Sequence, residues 1–158
     1  FTERGLRYDE IDACLSTDYY DYLELYRRAR SINEFRRREE FSEMLLSFKR
    51  MNNILSSFRQ KNPSYTLRFD DSLLSEPEER ELFRFFESRM QDIEGFIKSN
   101  SYVDLFALLI EGKPVIDAFF DAVMVMVEDV RVRDNRLAML ESILSHFTGL
   151  LNFFKISE

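Results

Sequence analysis

Basic residues crowd the stretch from Arg27 to Lys61, where ten lysines and arginines stand against four acidic residues. The local balance of +6 leaves −13 for the rest of a chain whose formal net charge is −7. A cationic stretch inside an acidic protein is chemistry for phosphate, because each neutralised phosphate releases counterions. Lys49, Arg50, Asn52 and Asn53 stand together in it. Lys49 and Asn53 are four residues apart, so on a helix they share an edge that Arg50 adjoins. The charged pair suits phosphates or the acceptor atoms of a base. The two carboxamides carry both donors and acceptors, as a base edge does. Arg27, Arg28, Arg36, Arg37 and Arg38 are candidates to hold a nucleic-acid backbone, and Glu34 can accept from a base amine. Tyr20 and Tyr65 are rings on which a base can stack. The plainer reading is a solvated helical face, which each arginine taken alone supports equally well.

Catalytic chemistry has no comparable cluster. His146 is the single histidine, and Ile143 rather than Glu precedes it by three, so the Glu-x-x-His pairs of helical di-metal sites are missing. Asp117 and Asp121 form a carboxylate pair at helical spacing; the reading preferred for them is a polar stripe on a mostly buried helix. Cys14, the one cysteine, excludes an internal disulfide and a Cys-based zinc site. It reads as a structural thiol in a cytosolic protein. Gly5, Gly95, Gly112 and Gly149 are too scattered to build a phosphate-cradling loop. No catalytic residue, metal site or cofactor site is therefore expected. The most apolar stretch, Tyr102 to Val127, is broken by Asp104, Glu111, Lys113, Asp117 and Asp121, so no membrane span is expected. The opening Phe1-Thr2-Glu3-Arg4 reads as the inside of a longer chain.

The elements that must position these groups are helices. Only 4 Gly and 3 Pro occur in 158 residues, too few for the turns of an all-β fold. With 45% hydrophobic residues, 16 of them Phe, the chain can bury one core. An all-α bundle of about six helices is expected. The first spans Asp18–Asn33, capped by Asp18. The second spans Glu39–Phe58, with a stripe from Phe41 to Phe58 that leaves Lys49, Arg50 and Asn53 on another side. Gln60–Ser75 reads as a loop. Ser75-Glu76-Pro77-Glu78 reads as a capping box opening a third helix. A fourth helix spans Tyr102–Glu111 and stops at Gly112. A fifth spans Val115–Val127, where the alternating valines and methionines imitate a strand but Asp117, Asp121 and Glu128 share a helical face. The sixth runs from near Asp134 to Phe154.

Pro114 to Met126 reads Pro-Val-Ile-Asp-Ala-Phe-Phe-Asp-Ala-Val-Met-Val-Met, followed by Asn135-Arg136-Leu137-Ala138-Met139-Leu140. These words resemble the C-terminal signature of the bacterial glycyl-tRNA synthetase β subunit. Ile32 to Arg36, Phe48 to Leu55 and Arg7 to Ala13 resemble that family as well, so the likeness covers nearly the whole chain. It implies a helical anticodon-binding domain of the DALR type over 18–158, with 1–17 as the end of an upstream linker or helix. It further implies recognition of the tRNA(Gly) anticodon in an aminoacyl-tRNA synthetase of the cytoplasm. In that ligase ATP is used by the whole enzyme, the α subunit holds the catalytic site, and the rest of the β subunit adjoins this domain. The rival reading is a helical protein–protein interaction module.

Overall fold

Phe41, Met44, Leu45, Phe48, Met51, Leu55 and Phe58 recur at helical steps, and they are the buried face of helix α1, Glu39–Lys61. The computed structural model describes residues 5, 23, 26, 29, 30, 33, 34, 37–99 and 101–147. Leu23, Tyr26, Ala29, Arg30, Asn33 and Glu34 are helical, within and just beyond the predicted first helix. Four further helices follow α1: α2, Pro77–Lys98; α3, Tyr102–Glu111; α4, Lys113–Ala122; and α5, Val130–Ser145. A single 3-10 turn, Asp71–Leu73, interrupts the loop between α1 and α2. There is no strand among the described residues. The all-α expectation therefore holds there. Residues 1–4 and 6–17, the proposed linker, lie outside the described residues, as do Cys14 and the predicted cap Asp18.

α1 packs against α5, α3 and α4, and α2 packs against α4, α3 and α5. Phenylalanines fill the space between them. Phe41 meets Phe106 edge to face at 5.9 Å between centroids, and Phe48 meets Phe147 at 5.6 Å. Such edge-on pairs set the positive rim of one ring against the negative face of the other. At the α3–α4 corner a side chain on Gly112 would put its Cβ 2.7 Å from the Phe85 ring, so glycine lets α2 cross there.

Several boundaries differ from the sequence reading. α2 begins one residue later than a box on Ser75 and Glu78 requires. Glu76 precedes the helix, and it is Glu79, at the third helical position, that turns its carboxylate back to the Glu76 N–H at 2.7 Å. Ser75 lies outside the helix and donates to Glu79 through both its N–H and its hydroxyl.

The predicted Val115–Val127 helix ends at Ala122, and Val123 is extended, with φ −118° and ψ 124°. From there the alternation is real. Val123 and Val125 are 6% and 5% exposed, while Met124 and Met126 are 72% and 51% exposed. The backbone is extended only where it leaves α4: it bends at Val125 and Met126, where the Val127 N–H bonds back to the Val125 carbonyl at 3.0 Å. Glu128 accordingly leaves the helical face predicted for it beside Asp117 and Asp121. The last helix starts four residues early, because Asp129 accepts from the N–H groups of Arg131 and Val132 and caps it. It ends at Ser145, short of the predicted Phe154. There the Ser145 hydroxyl bonds back to the Ser142 carbonyl and the Phe147 N–H tightens onto Leu144. Residues 148–158 lie outside the described residues.

The Asn135-Arg136 pair explains how the segment after α4 is held. Arg136 is 6% exposed and Glu79 fully buried, and Arg136 Nε donates to Glu79 Oε1 at 2.6 Å. Nη1 of the same guanidinium donates to the Met124 carbonyl at 2.7 Å. Burial pushes the Glu79 carboxyl up, but the hydrogen bonds from Arg136, Glu76 and Ser75 outweigh it and hold the group below its ordinary value. Asn135, also buried, accepts from the Asp70 N–H at 2.7 Å and so fixes the loop between α1 and α2. Its amide nitrogen has no partner among the described residues.

Candidate nucleic-acid interface

The apolar stripe of α1 turns inward, and the residues between its members turn out. Arg50 and Asn53 are exposed, and Lys49 and Asn52 half-buried. The structure thus brings the four residues into one neighbourhood on α1, but not in equal states. The Arg50 guanidinium lies 4.2 Å from the centroid of the Phe120 ring on α4. This cation–π contact holds the side chain against α4 while the residue stays exposed. The Asn52 amide donates to Ser56 at 2.9 Å along the helix and is partly committed. No described residue hydrogen-bonds the Asn53 amide or pairs with the Lys49 ammonium.

The outlying candidates fall elsewhere. Arg37 and Arg38 are exposed in the short connection before α1, and Arg38 approaches Glu40 at 3.9 Å. Glu34 is exposed and helical. Arg27, Arg28, Arg36 and Tyr20 lie outside the described residues. Asp117 and Asp121 do not form a working pair. Asp117 is taken up by the Ser47 hydroxyl at 3.2 Å and by the Lys113 ammonium, while Asp121 is exposed. The hydrogen bond to Asp117 raises the Lys113 pKa, with burial opposing and the Asp117 and Glu43 charges adding to it. Among the described residues no group of three or more metal-ligating side chains stands together, and no helix is long and apolar enough to cross a membrane.

The sequence reading missed a second wall. Beside Asn53, a groove of about 530 Å³ opens between the C-terminal half of α1 and the segment leading into α5. Ser57, Phe58 and Lys61 line it from α1, and Met126 and Arg133 from the opposite side. Arg133 sits 5.4 Å from the Phe58 ring centroid and donates from Nε and Nη2 to Asp134 at 2.9 and 2.8 Å. The other oxygen of Asp134 accepts from the Tyr65 hydroxyl. That hydrogen bond, with burial second and the Asp134 charge third, pushes the Tyr65 pKa above its ordinary value, so the hydroxyl stays protonated. Tyr65 is 38% exposed, its ring edge-on to Phe58 at 5.5 Å. Arg59, though basic, is engaged by Glu141 at 2.6 Å and by the Tyr65 carbonyl. The only sequence signal for the second wall was the Val-Met alternation, since exposed methionines follow from it once the segment is read as non-helical.

The arrangement combines basic side chains, an amide without a partner among the described residues and apolar walls, features that suit a single-stranded nucleic acid. Residues 44–158 match the family described as the DALR anticodon binding domain. The chain is also similar to glycine–tRNA ligase β subunits. It is 35% identical over 159 residues to that of Clostridioides difficile strain 630, covering 99% of this chain and 22% of the relative. It is 33% identical over 155 residues to that of Desulforudis audaxviator strain MP104C and 34% over 154 residues to that of Moorella thermoacetica. Those matches cover 98% of this chain and 22% of each relative. The chain thus spans about a fifth of the length of the curated relatives it matches.

Proposed function

The chain belongs to the DALR anticodon binding domain family, and from that premise we propose that it recognises the anticodon loop of tRNA(Gly) as part of a glycine–tRNA ligase β subunit. The whole ligase would join glycine to its tRNA using ATP, with catalysis on the α subunit. This domain contributes binding and no catalytic residue, and it works in the cytoplasm beside the rest of the β subunit. The observation that carries the reading is the edge of α1 on which Lys49, Arg50 and Asn53 stand in an otherwise acidic protein, with Asn53 lining the groove. Lys49 and Arg50 meet phosphates, which position the RNA, and Asn53 meets a base, which identifies it. Arg37, Arg38 and Glu34, with Arg27, Arg28 and Arg36, extend the surface.

The test is filter binding of the full chain to tRNA(Gly) at two salt concentrations. Lys49→Glu with Arg50→Glu should weaken binding to every RNA and flatten its salt dependence, since two phosphate contacts are lost. A folded double variant that binds like the parent at both salts refutes the assignment of this edge. The exposed Met124, Leu46 and Val130 favour the second reading, a protein-interaction surface. It predicts no salt-sensitive retention of tRNA at all.

A further inference from the structure

We infer that Phe120 and Lys113 of α4 are positioning residues for the RNA contact of Arg50 on α1. Phe120 holds the guanidinium, and Lys113 keeps the neighbouring carboxylates from neutralising it. The inference rests on the anticodon-binding reading above and deepens it by giving α4 a part in presenting the phosphate contact.

Arg50 lines a crevice of about 260 Å³ between α1 and α4. Glu43 and Ser47 line it from the same helix, and Lys113, Asp117 and Phe120 from the facing one. Two carboxylates therefore share a small space with the guanidinium. An arginine paired with a carboxylate has its charge and its forked donors committed, and must give up that pair before it meets a phosphate.

Lys113 takes up both acids. Its ammonium lies 3.5 Å from the Glu43 carboxylate and bonds to Asp117, four residues on along α4. The other Asp117 oxygen accepts from the hydroxyl of the buried Ser47 at 3.2 Å. Among the described residues no carboxylate pairs with Arg50, although two stand in its crevice.

Phe120 holds the side chain in place of an acid. The two rings of Phe119-Phe120 have separate uses. Phe119 is fully buried in the core, whereas Phe120 is half-buried, with its centroid 4.2 Å from the Arg50 guanidinium carbon. A ring face attracts a cation through its quadrupole without cancelling the charge, and it accepts none of the in-plane N–H donors. A long side chain held beforehand also loses less rotamer freedom when it binds. Arg50 thus keeps both the charge and the donors that a phosphate needs.

The experiment measures fluorescence anisotropy of labelled tRNA(Gly) with the full chain at several salt concentrations, in cycles against Arg50→Ala. Circular dichroism melts first establish that each variant folds. Arg50→Ala should weaken binding and flatten the salt slope by about 0.7, the share of one single-strand phosphate contact. Phe120→Leu should weaken binding about threefold with the slope unchanged, the scale of one exposed cation–π contact. Phe120→Tyr, which keeps the ring, should recover most of that loss. Lys113→Met should also weaken binding about threefold, because Glu43 and Asp117 then compete for Arg50. Most of each loss should vanish in the Arg50→Ala background, which a structural role or a direct RNA contact of Phe120 or Lys113 would not produce. Equal losses in both backgrounds overturn the inference, as does parental binding by Phe120→Leu. Should Phe120→Leu not fold, the Lys113→Met cycle decides alone. If Arg50→Ala binds like the parent at every salt, the inference falls while the anticodon reading stands. If the parent itself retains no tRNA, both fall.

Discussion

Replacing Arg136 by Met removes a guanidinium that reaches three places at once. It frees Glu79 from its counter-charge, leaves the Met124 carbonyl without its donor and takes away a 3.4 Å contact to the Ser75 hydroxyl. Breaking one side of a buried ion pair costs about 3–5 kcal/mol, because the other charge stays buried and unpaired. Glu79 keeps the Ser75 N–H, the Ser75 hydroxyl and the Glu76 N–H, which places the cost near the lower end. With a urea m value of about 2 kcal/mol per molar, a loss of about 3 kcal/mol lowers the unfolding midpoint by about 1.5 M.

Glu79→Gln should cost a similar amount, and the double variant less than the sum of the two by about 2 kcal/mol, the signature of a direct pair. The pH dependence carries its own sign. Glu79 in the folded parent lies below the ordinary 4.5, so the unfolded chain binds the proton more readily there. This contribution is fully present above about pH 4.5 and is lost as pH falls through the folded value. In Arg136→Met burial acts with less opposition, the carboxyl rises, and the acid-linked loss shrinks. Urea melts between pH 3 and pH 7 measure all of this. A loss under about 1 kcal/mol, or single variants that add within about 0.5 kcal/mol, would refute the reasoning.

Two further perturbations probe the corners that hold the site. Asn135→Asp keeps the acceptor for the Asp70 N–H but puts a charge at a position only 2% exposed, so it should destabilise the fold by more than about 2 kcal/mol at neutral pH. The new carboxyl should titrate above its unfolded value, so stability returns as pH falls below neutral, opposite in sign to Glu79, as thermal melts across pH will report. Gly112→Ala forces the Phe85 ring to give way and should cost about 1–2 kcal/mol by thermal unfolding; Phe85→Leu in the same chain should recover most of it.

How much of this was legible in the residues depended on the range of the force concerned. Helices α1, α2 and α3 are written in apolar residues three and four apart, and their stripes are the observed core because periodicity decides which face can leave water. Lys49, Arg50 and Asn53 were legible as one edge for the same reason. Helix ends needed atoms from elsewhere. Glu79 rather than Glu78 turns back because Arg136, 57 residues on, holds its other oxygen. Val123–Val127 carried both periods in its letters, and local propensity could not choose between them. The choice was made by the Met124 carbonyl meeting Arg136 and by the core closing over Val123 and Val125 while Met124 and Met126 stayed out. The groove depended on that same choice. Asn53 and Met126 are neighbours only because α5 returns to α1, and no pattern along the chain states which distant segment will supply the other wall.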